Sequence, residues 1–178
     1  MYGGILTILE ELKVERVIIG KQMEDSYNYQ KFRKIVNEQK IKVSQVTKGN
    51  RLQVEKNLYF DILWPNDEKA IYENSLNNNS LVCKLYYKNF SMLFTGDIEE
   101  IAEKTILQDY KDDLEILNST ILKVAHHGSE SSSSKNFIEN VNPKVAVIEV
   151  GENNKFGHPN ENIIESLENM RNKNIQDR

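Results

Sequence analysis

Three short motifs stand in the second half of the chain, and each closes an apolar stretch of the kind that forms a buried β-strand. They are Thr95-Gly96-Asp97, Lys123-Val124-Ala125-His126-His127-Gly128-Ser129 and Gly157-His158-Pro159. All three histidines of the chain lie in these motifs, and none precedes position 126. Because layered folds place ligands at the ends of their strands, we expect strands that carry a metal-binding site at one edge.

The composition narrows the class of protein. The chain has 178 residues, the size of one domain with its own core. Its net charge of −4 argues against holding nucleic acid by bulk electrostatic attraction, but not against an enzyme that handles phosphodiesters through bound metal. A single cysteine, Cys83, excludes an internal disulfide and a cysteine-rich zinc site, and its apolar neighbours predict a buried structural thiol. With no membrane-length apolar run and no signal-peptide pattern, a soluble chain is predicted, cytoplasmic by default.

Hydrophobic periodicity predicts alternating helices and strands. Helices are predicted at residues 5–12, 27–39, 98–107 and 163–170. Strands are predicted at residues 14–20, 41–46, 58–64, 81–87, 92–95, 121–125 and 144–150. The polar residues 66–80 are interpreted as a loop, and Lys88–Ser91 as the turn of a hairpin. This order predicts a layered α/β (α+β) fold in one domain over residues 1–178.

Asp97 follows a predicted strand and a glycine, which brings the backbone close and directs the carboxylate above the sheet edge. A carboxylate placed in this way could bridge two divalent metals. The alternative is a structural role as the N-cap of the helix that begins with Ile98-Glu99-Glu100. The histidines farther along the chain favour the metal-binding interpretation.

His126 and His127 end a β-branched strand and enter a glycine and a serine-rich run. Neutral imidazole is a common ligand of zinc and other transition metals. Neighbouring residues on a strand point to opposite faces, so at most one of the two need be a ligand if the strand continues through them. The other could pack, or hydrogen-bond to a ligand. The sequence leaves open which of them binds metal.

The segments beside the histidines supply candidate substrate contacts. The run Ser129–Ser134 is either a flexible surface loop or a loop whose hydroxyls meet phosphate oxygens. Pro159 disfavours helix at His158 and stiffens its loop, which suits a group held at the mouth of a site. Lys155 could meet an anionic substrate or be simply a solvated charge. Ser129, Lys155 and Asn79 are predicted as substrate-binding residues.

Five stretches, taken in order, resemble one family. They are residues 78–82 (NNSLV), 93–99 (LFTGDIE), 122–129 (LKVAHHGS), 142–148 (NPKVAVI) and 157–159 (GHP). The chain is similar to the metallo-β-lactamase fold, and within it to the soluble domain of the ComEC/Rec2 family of competence DNA-uptake proteins. The ordered series is specific, whereas no single stretch would be.

The resemblance implies a four-layer αββα sandwich with a two-metal site, of zinc or manganese, that hydrolyses phosphodiester or other ester bonds, DNA among them. Asp97 would be the bridging carboxylate, and a histidine of the pair 126–127 a ligand. His158 would be a ligand or a contact to the transition state. In this interpretation the catalytic residues are Asp97, His127 and His158, and the metal ligands come from Asp97, His126, His127 and His158.

The family's His-x-His-x-Asp-His motif has no counterpart in the chain. In the family it precedes a Gly-Gly and a helix, and Gly3-Gly4 matches that position, which predicts a shortened copy that binds two metals weakly or not at all. Three hypotheses follow: a metal-dependent phosphodiesterase or nuclease-like hydrolase linked to DNA uptake, an inactive truncated remnant, or a module that a missing N-terminal segment or a partner chain completes.

Overall fold

The protein was analysed as a computed structural model, which describes residues 3–21 and 24–176. It divides into two compact units, the first ending at Val46 and the second beginning at Thr47. The single domain over residues 1–178 expected from the sequence stays a prediction.

The first unit pairs two helices with two parallel strands. Its elements are α1 (Gly3–Glu11), β1 (Arg16–Ile19), α2 (Tyr27–Glu38) and β2 (Lys42–Gln45). Helix α2 begins where Ser26 accepts a hydrogen bond from the Tyr29 N–H, the usual chemistry of an N-cap. The buried side chains form a core of Leu6, Leu9, Val17, Phe32, Ile35 and Ile41. These elements confirm the helices and strands predicted for this part of the chain.

The second unit is built on a mixed sheet. Its strands are β3 (Arg51–Glu55), β4 (Leu58–Trp64), β5 (Val82–Tyr87), β6 (Phe90–Phe94), β7 (Ile121–Lys123) and β8 (Val145–Val147). Its helices are α3 (Ser75–Asn78), α4 (Glu100–Asp109), α5 (Lys135–Val141) and α6 (Glu161–Gln176), with 3-10 turns at Leu114–Leu117 and Ala125–Gly128. Among the described residues the six strands lie in chain order, antiparallel from β3 to β6 and parallel from β6 to β8. The α/β class is confirmed.

Several predicted boundaries are wrong for identifiable reasons. Strand β3 was not predicted although Leu52 and Val54 alternate with polar residues in it; the strand is short and Val54 is 56% exposed, so only two apolar residues mark it. The predicted loop at 66–80 contains helix α3, whose polar sequence gives no helical stripe. Helix α4 begins at Glu100 rather than at Ile98, and the strand predicted at 121–125 ends at Lys123. The hairpin β5–β6 is confirmed, as is strand β4 with its predicted bounds.

The core of the second unit lies on the sheet and includes Trp64, Leu93, Leu122 and Phe137, each at most 1% exposed. The Trp64 indole N–H donates to the carbonyl of Asn78 at 2.8 Å, so this large side chain is buried with its polar atom satisfied. Cys83 in β5 is free and is partly rather than fully buried, and this burial raises the pKa of its thiol to about 11. Its structural role stays a prediction. No helix in the described residues has the length and apolarity needed to cross a membrane.

Candidate functional site

The three sequence motifs meet because β6, β7 and β8 run parallel. Thr95–Asp97 follows β6, the histidine pair follows β7, and the segment that leads to His158 follows β8. The carboxyl ends of parallel strands share one edge of a sheet, which is where open α/β folds place their ligands. The connections are tied together there, since the Thr95 hydroxyl donates to the Lys123 carbonyl at 2.6 Å and the His126 N–H to the Gly96 carbonyl at 3.1 Å.

Gly96 allows the turn that presents Asp97. Its φ is +57°, and a Cβ at this position would lie 2.7 Å from the Cβ of Ser80, so only glycine fits. Asp97 is not an N-cap: helix α4 starts three residues later, with Glu99 at the cap position. The Asp97 carboxylate is 10% exposed and accepts no hydrogen bond from the residues that the structure describes. Its Oδ1 lies 3.7 Å from Nε2 of His127.

The histidine pair does not continue the strand. His126 and His127 have φ values of +47° and +57°, both in the left-handed region, inside the 3-10 turn Ala125–Gly128. The argument that the two side chains point to opposite faces therefore fails, because it required strand geometry. Both rings lie at the same edge, with centroids 6.5 Å apart, and the His158 ring lies 5.8 Å from that of His126. Two successive non-glycine residues in this strained region are typical of functional sites.

His127 is oriented by the backbone that follows β8. Its Nδ1 lies 2.6 Å from the carbonyl oxygen of Glu149, and since a carbonyl only accepts, Nδ1 carries the proton. The lone pair then belongs to Nε2, the atom nearest Asp97. The 3.7 Å between Nε2 and Oδ1 is too long for a hydrogen bond and close to the separation of about 3.4 Å that two ligands of a tetrahedral zinc keep.

His126 faces a carboxylate that the sequence analysis did not select. Its Nδ1 is buried without a hydrogen-bond partner and lies 3.7 Å from Oε1 of Glu99. Glu99 is fixed in turn, because the amides of Asn74 and Asn78 and the hydroxyl of Ser131 all donate to its carboxylate. A carboxylate opposite the inner nitrogen is the arrangement that orients metal-binding histidines. In the sequence Glu99 looked like an ordinary acidic residue of a first helical turn.

The three asparagines before β5 make different contacts, and the predicted role of Asn79 in substrate binding stays a prediction. Asn79, predicted to bind substrate, uses its amide within its own loop: it accepts from the Ile71 N–H and donates to the carbonyls of Ile71 and Ser75. Asn77 and Asn78 are the neighbours of the site, the first 3.4 Å from His126 Nε2 and the second bonded to Glu99. Three identical polar residues in a row have no periodicity, so the sequence could not indicate which of them adjoins the site.

The serine-rich run is partly buried: Ser129, Ser132 and Ser133 are packed inside, whereas Glu130 and Ser131 are exposed. Ser132 and Ser133 are 2% and 3% exposed, so the surface-loop interpretation is wrong for them. Glu103, fully buried in α4, accepts the backbone N–H groups of Ser133 and Ser134, and burial raises its pKa. Ser129 is itself 8% exposed and its hydroxyl contacts that of Ser131. The run is thus anchored beside Glu99, and its role in substrate binding stays a prediction.

His158 sits in a loop that Asn154 organises. The side-chain oxygen Oδ1 of Asn154 accepts the N–H groups of Phe156 and His158, and the side-chain Nδ2 donates to the backbone carbonyls of Gly151 and His158. Burial, with the nearby His126 and His127, lowers the pKa of His158 and favours its neutral form. Lys155 is exposed, and no described residue bonds its side chain in this arrangement.

The two histidine loops touch through Gly128. Its φ is +78°, and a Cβ there would lie 2.7 Å from the Cβ of Pro159, so glycine is required for the close approach. The Gly128 carbonyl also accepts the Asn160 N–H at 2.9 Å. The glycine that the sequence analysis noted beside the histidine pair is therefore the residue that joins the second motif to the third.

The donor set fits a divalent ion in part. Asp97 and His127 present an oxygen and a nitrogen at ligand-like spacing, and the His126 ring lies 6.5 Å from the His127 ring with its buried Nδ1 toward Glu99. Residues 3–21 and 24–176 hold no group of three or more His, Cys, Asp or Glu side chains already placed around one ion. The described residues therefore offer a pair of ligands with further histidines beside it, not a complete coordination sphere.

Comparison with known proteins gives homologues but no family model that matches. The chain is 31% identical over 166 residues to ComE operon protein 3 of Bacillus subtilis, covering 93% of this chain and 20% of that protein. It is 33% identical over 104 residues to competence protein ComA of Neisseria gonorrhoeae, covering 58% of this chain and 14% of that protein. It is 31% identical over 110 residues to recombination protein 2 of Haemophilus influenzae, covering 62% of this chain and 13% of that protein.

The chain spans about a fifth of the length of ComE operon protein 3, and less of the other two relatives. These matches confirm the relationship to competence proteins that the motifs indicated. The metallo-β-lactamase assignment within the α/β class stays a prediction. This chain is thus a homologue of one part of several larger proteins. One of them is named for the ComE operon and another for competence.

Proposed function

We propose that this chain contributes one side of the divalent-metal centre of a phosphodiester hydrolase that acts in DNA uptake. The observation that carries the proposal is the pair formed by Asp97 and His127, with the lone-pair nitrogen of the imidazole 3.7 Å from a carboxylate that accepts no hydrogen bond from described residues. The names of the relatives support the link to competence. The motif series supports metal-dependent hydrolysis.

Each residue has a definite task in this proposal. Asp97 and His127 would hold zinc or manganese, and the Glu149 carbonyl keeps the His127 ring in the tautomer that can bind it. His126, facing Glu99, is positioned to supply a further nitrogen. His158, whose pKa burial lowers, would contact the substrate or the ion. A bound divalent ion supplies Lewis-acid polarisation of a phosphoryl oxygen.

The remaining ligands would come from polypeptide other than the described residues, in the same protein or in a partner chain. This extension rests on the donor count, because residues 3–21 and 24–176 assemble no group of three or more ligands. The same observation favours the second candidate function, a module without catalysis of its own. The two candidates differ in whether the pair Asp97–His127 binds an ion at all.

Titration with zinc and with manganese, followed by calorimetry, tests the proposal. The wild-type chain is expected to bind one ion with Asp97 as a ligand, so Asp97→Asn should weaken binding by at least about 100-fold, more than the loss of a residue that only orients a ligand. Asp112→Asn is the matched control, since Asp112 is exposed in the same unit. Hydrolysis of a chromogenic phosphodiester is measured alongside.

The outcomes separate the candidates. An ion bound through Asp97 without hydrolysis supports a site that needs further ligands, and hydrolysis by the chain alone shows that it needs none. Equal affinity in Asp97→Asn and Asp112→Asn, or no binding in the wild type, contradicts the metal centre and leaves the non-catalytic module.

A further inference from the structure

A cavity opens beside the histidines, and Phe156 stands at its rim. The cavity has a volume of about 380 Å³ and is lined by His127, Val150, Gly151, Phe156 and His158 among others. The Phe156 side chain is 80% exposed. Its ring stacks on that of His158, with centroids 5.9 Å apart and planes inclined by 19°. One face of an aromatic ring is therefore held open to solvent next to the candidate metal ligands.

The position of Phe156 is fixed by hydrogen bonds to the backbone of its loop rather than by burial of its side chain. Asn154 accepts the N–H of Phe156 and brackets the loop from Gly151 to His158 with three more hydrogen bonds. An exposed phenyl ring forgoes the burial that would stabilise it by roughly 1.5–3 kcal/mol. A ring displayed on an organised loop, in contact with a histidine of the site, is suited to a ligand with a flat apolar face.

We propose that Phe156 and this cavity form a subsite that stacks a nucleobase of single-stranded nucleic acid. The inference rests on the proposed function and specifies the substrate that the site takes. Every nucleobase has a flat π-face, and aromatic side chains bind single strands by stacking on it. The bases of a duplex are already stacked on each other, so the subsite selects single strands or frayed ends.

The charges near the subsite indicate that stacking, not phosphate attraction, supplies the affinity. Lys155 is the exposed cation of the loop, but Glu149 and Glu152 are exposed beside it, and the whole chain carries a net charge of −4. With about one cation available, log K should fall with log salt with a slope near −0.7, the value for one phosphate contact on a single strand.

In Phe156→Trp, the fluorescence of the introduced indole reports binding at the subsite. The native Trp64 is fully buried, so an exposed indole at position 156 is resolved by its red-shifted emission. The protein is titrated, in EDTA and without metal, with an oligothymidylate of about eight nucleotides and with an abasic strand of the same length. Tyr87→Trp is the control, because Tyr87 is 45% exposed and pairs with Phe90 at the turn of the β5–β6 hairpin, the opposite end from Asp97.

The expected result is quenching of the indole at position 156 by the oligothymidylate, with little effect of the abasic strand and none on the indole at position 87. Phe156→Ala should weaken oligothymidylate binding by about 10-fold, within the range for loss of one stacked base. Equal quenching by both strands, equal quenching of both indoles, no binding, or a salt slope steeper than about −3 would overturn the proposal.

Failure of the subsite is distinguishable from failure of the metal centre. Binding is read without metal, so stacking can be observed even where Asp97→Asn shows that no ion binds. Conversely, the chain could hydrolyse single strands in a metal-dependent reaction with the same KM in wild type and in Phe156→Ala. That result would overturn the subsite and support the metal centre. Circular dichroism of each variant verifies the fold, and substitution of an exposed side chain should leave it intact.

Discussion

Two buried carboxylates of the second unit, Asp109 and Asp97, have opposite surroundings. The Asp109 side chain is 3% exposed and accepts hydrogen bonds from Lys48, Lys69 and Asn66. The Asp97 side chain is 10% exposed and accepts none from the described residues; its nearest ionisable neighbour is His127, at 3.7 Å. Asp109 is the last residue of helix α4 and Asp97 follows strand β6. Three side chains donate hydrogen bonds to Asp109, whereas no described residue donates one to Asp97.

The difference separates a structural charge from a functional one. Burial alone would raise the pKa of Asp109, but hydrogen bonds from Lys69, Lys48 and Asn66 outweigh it and lower the pKa to about 2. Three donors bond its two oxygens, and two of these donors are lysine cations, so a metal ion would have to displace them. Around Asp97 the geometry is held instead by the turn at Gly96 and by hydrogen bonds from the Thr95 hydroxyl and from His127 Nδ1 to backbone carbonyls, which leave the Asp97 carboxylate and His127 Nε2 available.

The largest expected effect is at Gly128, because the site depends on close backbone approach. Gly128→Ala should lower the free energy of unfolding by about 3 kcal/mol, as it combines a positive φ with a contact of 2.7 Å to Pro159. Gly157→Ala separates the two causes: its φ is +69° but nothing lies within 4 Å of a Cβ there, so about 1 kcal/mol is expected. Urea denaturation measures both, and equal losses would show that the contact with Pro159 is unimportant.

The second largest effect tests the difference between Asp109 and Asp97 directly. Asp109→Asn should lower the free energy of unfolding by about 2 kcal/mol at pH 7, since its pKa is lowered by nearly two units from the usual 3.8. Asp97→Asn should change it by less than about 0.5 kcal/mol, because no described partner loses a hydrogen bond. A larger loss at Asp97 than at Asp109 would remove the distinction between the two carboxylates.

The pH dependence of the Asp109 effect has a defined sign. A carboxylate whose pKa is lower in the folded state stabilises the fold fully above its unfolded pKa, and this contribution is lost as the pH falls through the folded value. The stability difference between wild type and Asp109→Asn should therefore be constant above pH 4 and shrink toward pH 2. A difference that stays constant down to pH 2 would indicate that the ion pairs are not its source.

The smallest effect concerns Glu99, which faces His126. Glu99→Gln keeps the side-chain shape and removes the charge, so metal affinity should fall by about 10-fold. The amide NH2 of the new side chain would face a donor of Asn74 or Asn78, so the free energy of unfolding should fall by about 1 kcal/mol. Glu100→Gln is the control, because Glu100 is exposed and pairs with Lys104 along the helix. Nitrogen NMR of the His126 ring gives a readout independent of hydrolysis: the tautomer should shift in Glu99→Gln only. An unchanged ring would show that Glu99 serves only the helix.

The site could be predicted in part because its chemistry depends on residue type and order. Asp97, His126, His127 and His158 were selected as ligands that follow strands, and the parallel order of β6, β7 and β8 brings them to one edge. Glu99 and Glu103 were missed. Glu99 faces His126 and Glu103 binds the backbone of the serine-rich run, but in the sequence both resemble the solvent-exposed acids that are common near the start of a helix.

The sequence by itself determined the helices and strands with an apolar pattern and the three motifs, because periodicity and residue type are local properties. Tertiary structure alone decided that both histidines of the pair enter the site: the strand stops at Lys123 and left-handed backbone turns both rings to one side. It also decided that Asn77 and Asn78, not Asn79, adjoin the site. These choices depend on contacts between segments far apart in the chain, which no local pattern encodes.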